Sequence, residues 1–282
     1  MKIFVPILLF AVMFSDFGAV ICYSQKKDSV VLRLHLMKGD TYSVSINTQA
    51  AYKVNKMSFT EQLNGDLFLS VGEQGKGEKF VLTITLNNFA MNMYSDSGTL
   101  MFALDSRDST KRARKKDSVL FENAKNIIGL TFWEELNERA EPLRTNLDTV
   151  IKHVKADKAI LGVATAICYQ ILSFISFSEN PVNIGENWKG VGWKNTEGKV
   201  LSVNSLYTLN AIHDSVAEIS FASKSWGNAP DGNELLTIIA GESKVDIRSG
   251  LPVESHLITD LKATGSREMK GNAETTIRIE KR

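Results

Sequence analysis

The chain has 282 residues, 43% of them apolar, enough for a sizeable core in one large or two small domains. Lys and Arg number 33 against 32 Asp and Glu. That balance excludes a chain-wide attraction to nucleic acid or to an anionic membrane.

Residues 1–24 read as a secretory signal. Lys2 supplies a positive start, residues 3–14 are apolar, and Cys22 and Ser24 place small residues at −3 and −1 before Gln25. The apolar run is short for a membrane span, and Asp16 follows it. Cys22 follows Ile21 rather than a small residue, which argues against a lipid anchor there. Cleavage after Ser24 leaves Cys168 as the only cysteine, so no intramolecular disulfide forms and the core must carry stability. The expectation is an exported protein of the periplasm or cell surface, with residues 25–282 forming a single domain.

Residues 30–37 alternate, Leu32, Leu34 and Leu36 on one face and Arg33 and His35 on the other, which predicts a half-buried strand. Lys38-Gly39-Asp40 turns it into a strand over 41–54. Two further strands are expected around 58–71, followed by a hairpin loop bearing Gly72, Gly75 and Gly77. The strand over 80–94 changes phase: Leu82, Ile84 and Leu86 occupy even positions, Phe89, Met91 and Met93 odd ones. One extra residue near Asn87-Asn88, a β-bulge, accounts for the change and implies a strongly curved sheet. A short strand follows over 99–104. The Lys- and Arg-rich stretch 107–116 reads as a solvated loop. Asp117 then caps a helix that ends at Gly129, and strands are expected over 130–136 and 143–151.

The uncharged run 159–177 is long enough for a membrane span to be proposed. On a helical wheel, however, Gly162, Thr165, Ala166, Tyr169, Gln170, Ser173 and Ser176 share an arc of about 140°. A helix laid on a sheet needs such a stripe and a lipid-facing span does not. The run therefore predicts a central helix over about 156–177, with Cys168 on its apolar arc as a buried hydrophobe. Asn180-Pro181 breaks the chain, and 185–193 reads as loop or edge structure. Strands are expected over 199–210, 216–223, 234–240, 244–248, 251–262 and 275–280. Strands, helices, then strands predict an α+β fold: a long curved antiparallel sheet, a half-barrel or open barrel, with one or two helices on its concave face.

Chemistry-bearing patterns are sparse. His35, His153, His213 and His256 stand singly, outside any metal spacing, and no GxSxG, P-loop or GxGxxG pattern occurs. Glu134, Glu135, Glu138 and Glu141 lie beside Arg139 and Arg144, a pattern of solvated ion pairs. No catalytic residue, metal or cofactor is indicated. A curved sheet covered by a helix can instead enclose an apolar cavity, with Phe89, Met91, Met93, Ile167, Ile171 and Phe174 as its candidate lining. The alternative is that these residues fill a solid core.

Three stretches, LRLHLMKGDTY over 32–42, NPVNIGENW over 180–188 and VDIRSGLPVES over 245–255, resemble a family of uncharacterised secreted bacterial proteins with a domain of unknown function. The resemblance implies an architecture similar to the curved half-barrels of lipoprotein-carrier proteins, which hold lipid or acyl chains. It implies no activity. The leading expectation is an exported, non-enzymatic envelope protein binding a hydrophobic or amphipathic ligand. It would have no nucleic-acid partner and would not be an integral membrane protein after signal cleavage. The alternative is a surface or assembly protein that binds an envelope protein through 107–116 or 188–193. A hydrolase with an unfamiliar site comes third.

Overall fold

The computed structural model describes residues 29–73, 79–107, 125–156, 161, 164, 167–168, 175–191, 202–228, 234–265 and 268–282. The signal segment, the basic stretch from 108 onward with the Asp117 cap, and most of the central run lie outside them.

One antiparallel sheet organises the chain. β1 (Thr41–Val54), β2 (Met57–Val71) and β3 (Phe80–Ser95) form a meander. β4 (Leu100–Asp105) and β5 (Thr131–Leu136) both pair with β3, and β6 (Pro142–Thr145) pairs with β5. A short helix, α1 (Leu147–His153), follows. The second meander comprises β7 (Asn187–Val191), β8 (Ser202–His213), β9 (Val216–Asn228), β10 (Glu234–Asp246), β11 (Pro252–Thr264) and β12 (Met269–Lys281). β12 pairs with β1 along its length, from Tyr42 opposite Lys281 to Val54 opposite Met269, joining the two meanders. The order β6-β5-β3-β2-β1-β12-β11-β10-β9-β8-β7 ends on two short edge strands that do not meet. The result is the expected open half-barrel, and short edges limit pairing with other chains.

The phase change in β3 is a bulge. Asp66 faces Asn88 while Leu67 faces Leu86, so Asn87 is the extra residue. The sheet forks there: β3 pairs with β5 up to Thr85 and with β4 from Ala90. At the fork, the Ser106 hydroxyl accepts the Phe89 N–H at 2.9 Å.

Inner-face side chains form the core, with Leu67, Leu69, Leu82, Ile84, Leu86 and Phe89 almost wholly shielded from solvent. Of the described residues of the central run, Leu161, Ala164, Ile167 and Cys168 are helical, whereas Ala156 and Ile175, Ser176 and Phe177 are not, so the expected helix over about 156–177 does not reach either of those bounds. A Cβ on Gly65 would lie 2.9 Å from Ile167 Cγ2, so that helix rests on the concave face of β2 as closely as glycine permits.

Several expected elements differ. Residues 31–37 alternate as anticipated, with Leu32, Leu34 and Leu36 buried, but they join no ladder. They form an extended strap across one end of the half-barrel. Its backbone bonds go to loops: Leu34 N–H to Glu138 O at 2.7 Å and His35 N–H to Ser249 O at 2.9 Å. The two strands expected around 58–71 are one continuous strand, because Asn64-Gly65, despite its turn chemistry, stays in the ladder beneath Ile167. The breaks expected after residues 240 and 223 are likewise absent, and β9 and β10 run on as partners. The expected strand over 143–151 ends at Thr145. Asn146 Oδ1 accepts the Trp133 N–H at 2.7 Å, closing the ladder, and α1 begins.

Candidate functional site

The half-barrel has two unlike ends. At the closed end, the strap, the 137–141 turn, residues 176–186 and the 246–251 turn pack together. The Arg33 guanidinium donates to Ser178 O and Glu179 O, each at 2.6 Å, and pairs with Glu138 at 3.3 Å. Gly250 has φ +72°, and a Cβ there would lie 2.0 Å from Arg33 O, so the strap's backbone passes where any side chain would sit. Trp188 donates its indole N–H to Ser176 O at 2.7 Å and stacks on Tyr207 at 5.5 Å between ring centroids. Tyr207 in turn meets Phe221 at 5.9 Å, and Phe221 leans over Gly241. The three stretches that carry the family resemblance thus converge largely on this end. Asp40 accepts from Lys281 at 2.7 Å, which holds its carboxyl below the usual range.

At the open end the same inner-face rows continue with no cover from the described residues. Ala50 faces Glu61, Glu61 faces Met93, and Met93 faces Phe102. One row further out, Leu261 faces Gly271, Gly271 faces Tyr52, and Tyr52 faces Phe59 with ring centroids 5.5 Å apart. Met93, Phe102, Tyr52, Phe59, Ile239 and Leu261 are all half-buried. On the other wing the rows carry hydroxyls, with Ser205 and Ser223 bonded at 2.9 Å and Ser225, Thr237 and Thr259 nearby on the same face. Among the described residues these rows outline a trough with an apolar wall, a hydroxyl wall and a closed back.

Two carboxyls face inward. Among the described residues, Glu61 is the only charged side chain on the open-end rows, and it has no hydrogen-bond or ion-pair partner there. Burial raises its pKa; burial also raises that of Tyr52, and the Glu61 charge adds to that rise. Glu134 faces Leu82 on the inner side of the sheet and is 1% exposed. Its Oε1 finds no partner, and desolvation pushes the carboxyl up to about 8. Glu134 therefore departs from the solvated ion pairs expected of its cluster. Glu135 pairs with Lys79 at 3.1 Å and Glu141 with Arg139 at 2.7 Å as expected. An even position in an alternating strand aims Glu134 at the core, and the preceding acid-rich run obscures that.

Of the candidate lining residues, Phe89, Met91 and Met93 lie on one inner-face row of β3, with exposure rising from 0% to 8% to half-buried towards the open end. Ile167 is buried over Gly65, which pairs with Phe89. Ile171 and Phe174 lie outside the described residues. Sequence reasoning missed Tyr52, Phe59, Phe102 and Leu261, although period-2 alternation places the first two on the inner face. Trp188, part of the expected protein-binding segment, is instead spent inside the closed end. Burial pushes the Cys168 thiol up to about 12, the behaviour of a buried hydrophobe. Among the described residues, no three of His, Cys, Asp and Glu gather as metal ligands, and no helix is long and apolar enough to cross a membrane.

The geometry defines an open, helix-covered antiparallel half-barrel with an apolar trough at one end. No family model and no curated protein matches the chain. Its fold is similar to a solved structure described as lipid–protein interactions in lipovitellin, with TM-score 0.51 and 8% identity over 87% of this chain. The match spans 25% of that larger protein. Structures of DynF from the dynemicin biosynthesis pathway of Micromonospora chersina and of the autotransporter NalP translocator domain from Neisseria meningitidis also match. Each is 8% identical, with TM-scores of 0.25 and 0.27, over 89% and 95% of this chain and 85% and 95% of theirs.

Proposed function

We propose that this protein is an exported, non-enzymatic envelope protein that binds a hydrophobic or amphipathic ligand in the open-end trough. The observation that carries the reading is the continuation of the apolar inner face past its cover: Tyr52, Phe59, Met93, Phe102 and Leu261 stay half-exposed on a concave surface. Concave apolar surface with a few convergent polar groups is the usual form of a small-molecule site. An acyl chain would lie along Met93, Phe102 and Phe59, while Glu61 and the hydroxyl wall meet a polar head. The signal segment over 1–24 supports export to the periplasm or cell surface. Likeness to lipovitellin supports the fold, and that protein's description concerns lipid.

The test is titration of the mature protein with an apolar fluorophore such as N-phenyl-1-naphthylamine, together with native mass spectrometry and lipid extraction of material from its own host. Saturable binding that weakens about tenfold in Phe59→Ser and Leu261→Ser supports the reading, since each removes roughly a buried side chain's worth of contact. Glu61→Gln should alter the preference between amine- and carboxylate-headed chains. Lipid-free native protein that takes up no fluorophore overturns it.

A further inference from the structure

We propose that the outer face of the open end is a docking surface for an anionic lipid bilayer. Lys262 on β11 stands directly opposite Lys270 on β12, and Lys270 directly opposite Lys53 on β1. Side chains so placed have Cβ atoms about 5 Å apart, and like charges in that register are destabilising. Among the described residues none of the three has an ion-pair or hydrogen-bond partner. They line a groove of about 610 Å³, with Asp96 and Asp260 on its walls, that also reaches Tyr52, Phe59, Gly271 and Leu261 of the trough's outermost row. Neither aspartate pairs with a lysine, and Lys224 adds a fourth cation one row up, opposite Ile238. On these two rows four lysines stand against two aspartates; Glu234 and Glu274 flank them on the neighbouring outer-face rows, so the excess positive charge is concentrated on the row of Lys53, Lys270 and Lys262, where an anionic surface would complement it.

The neighbouring positions identify what that is. Leu236 lies between Trp226 and Lys262 on one cross-strand row, and Ile238 lies between Lys224 and Asp260 on the next. Trp226 is 46% exposed, Ile238 41% and Ile258 52%, all on the outer face. Water does not favour such a patch. A bilayer interface does: indole rings settle at headgroup level, aliphatic side chains sink below it, and lysines meet the lipid phosphates. A soluble anion would use the lysines and leave Trp226 and Ile238 without purpose. The groove shares Tyr52, Phe59, Gly271 and Leu261 with the trough's rim, so docking would bring the trough's mouth to the lipid. The proposal itself rests on the outer face and does not need the trough to hold a ligand.

The experiment is co-sedimentation of the mature protein with vesicles of phosphatidylcholine alone and of phosphatidylcholine mixed with phosphatidylglycerol. The expected result is binding to the mixed vesicles only, weakening as salt is added. Replacing one lysine with glutamine should lower binding about fivefold, and the Lys53→Gln, Lys262→Gln, Lys270→Gln triple variant on the order of a hundredfold. Trp226→Ser should lower it as well. The triple variant relieves repulsion, so its thermal unfolding should be no lower than that of the parent, which separates lost docking from lost fold. Equal binding to both vesicles, binding to neither, or undiminished binding by the triple variant overturns the proposal. So does calorimetric binding of inorganic phosphate without binding of mixed vesicles. Failure of fluorophore uptake alone would overturn the ligand-trough reading and leave this one standing.

Discussion

The two ends of the half-barrel are built from the same strands and the same alternation, yet they handle the inner face in opposite ways. At the closed end every inner row meets a second layer: the strap, the 137–141 turn, or the helical residues over Gly65. At the open end the rows carry on for two further residues per strand and meet nothing among the described residues. Closure makes steric demands on backbone that the open end does not. Gly250 and Gly271 show the contrast. A Cβ on Gly250 would strike the strap's backbone at 2.0 Å, whereas on Gly271 it would strike the half-exposed Tyr52 ring at 2.3 Å. Backbone held by loops on both sides cannot yield; an aromatic side chain at a trough's rim can swing away.

The sharpest break of that contrast is Gly250→Ala, expected to destabilise by about 3 kcal/mol or more because positive φ and a backbone clash add together. Gly271→Ala should cost roughly 1 kcal/mol or less, and urea unfolding of both variants reads the difference. Equal losses would mean that the open end is as tightly packed as the closed one.

Next comes Glu134, an unpartnered carboxyl at the closed end. Unfolded, it loses its proton near 4.5, whereas folded it keeps it to about 8. Between those values the unfolded state binds fewer protons, so stability falls as pH rises from about 4.5 and levels off above about 8. At pH 7 the accumulated loss is about 3 kcal/mol. Glu134→Gln should remove that slope in unfolding measured from pH 4 to 9, and a slope that survives the substitution would place its origin elsewhere.

The smallest effect is expected at the open end. Phe59→Ser and Leu261→Ser, on half-exposed rows, should change thermal stability by only about 1 kcal/mol while weakening fluorophore uptake. Loss of fold in either variant would show that the trough is part of the core.

Much of this was legible in the chain because it is local. Alternation set the inner face of β3, and the even-to-odd shift between Leu86 and Phe89 placed the bulge near Asn87-Asn88, where the register makes Asn87 the extra residue. Turn chemistry at Lys38-Gly39-Asp40 marked a real turn. Local signals misled where a distant contact decided the outcome. Asn64-Gly65 has turn chemistry but stays in a strand, because the glycine is needed under Ile167. Residues 31–37 have strand alternation but no ladder, because β1 already has β2 and β12 on its two edges. Parity alone placed Phe89, Met91 and Met93 on the inner face. It did not mark Tyr52, Phe59 and Phe102, since only cross-strand register shows that Phe102 shares a row with Met93 and Glu61 and that Tyr52 and Phe59 share the next one out.

The sequence by itself determined most of the strand positions, the bulge, a helical stretch in the central run and the inward set of β3, because each follows from the two-residue and 3.6-residue periods of the backbone. Only the tertiary structure decided which end closes, where the strap lies, that Glu134 is buried without a partner, and that Lys53, Lys262 and Lys270 stand in one row. Those depend on pairing between residues far apart in the chain, and no local period records them.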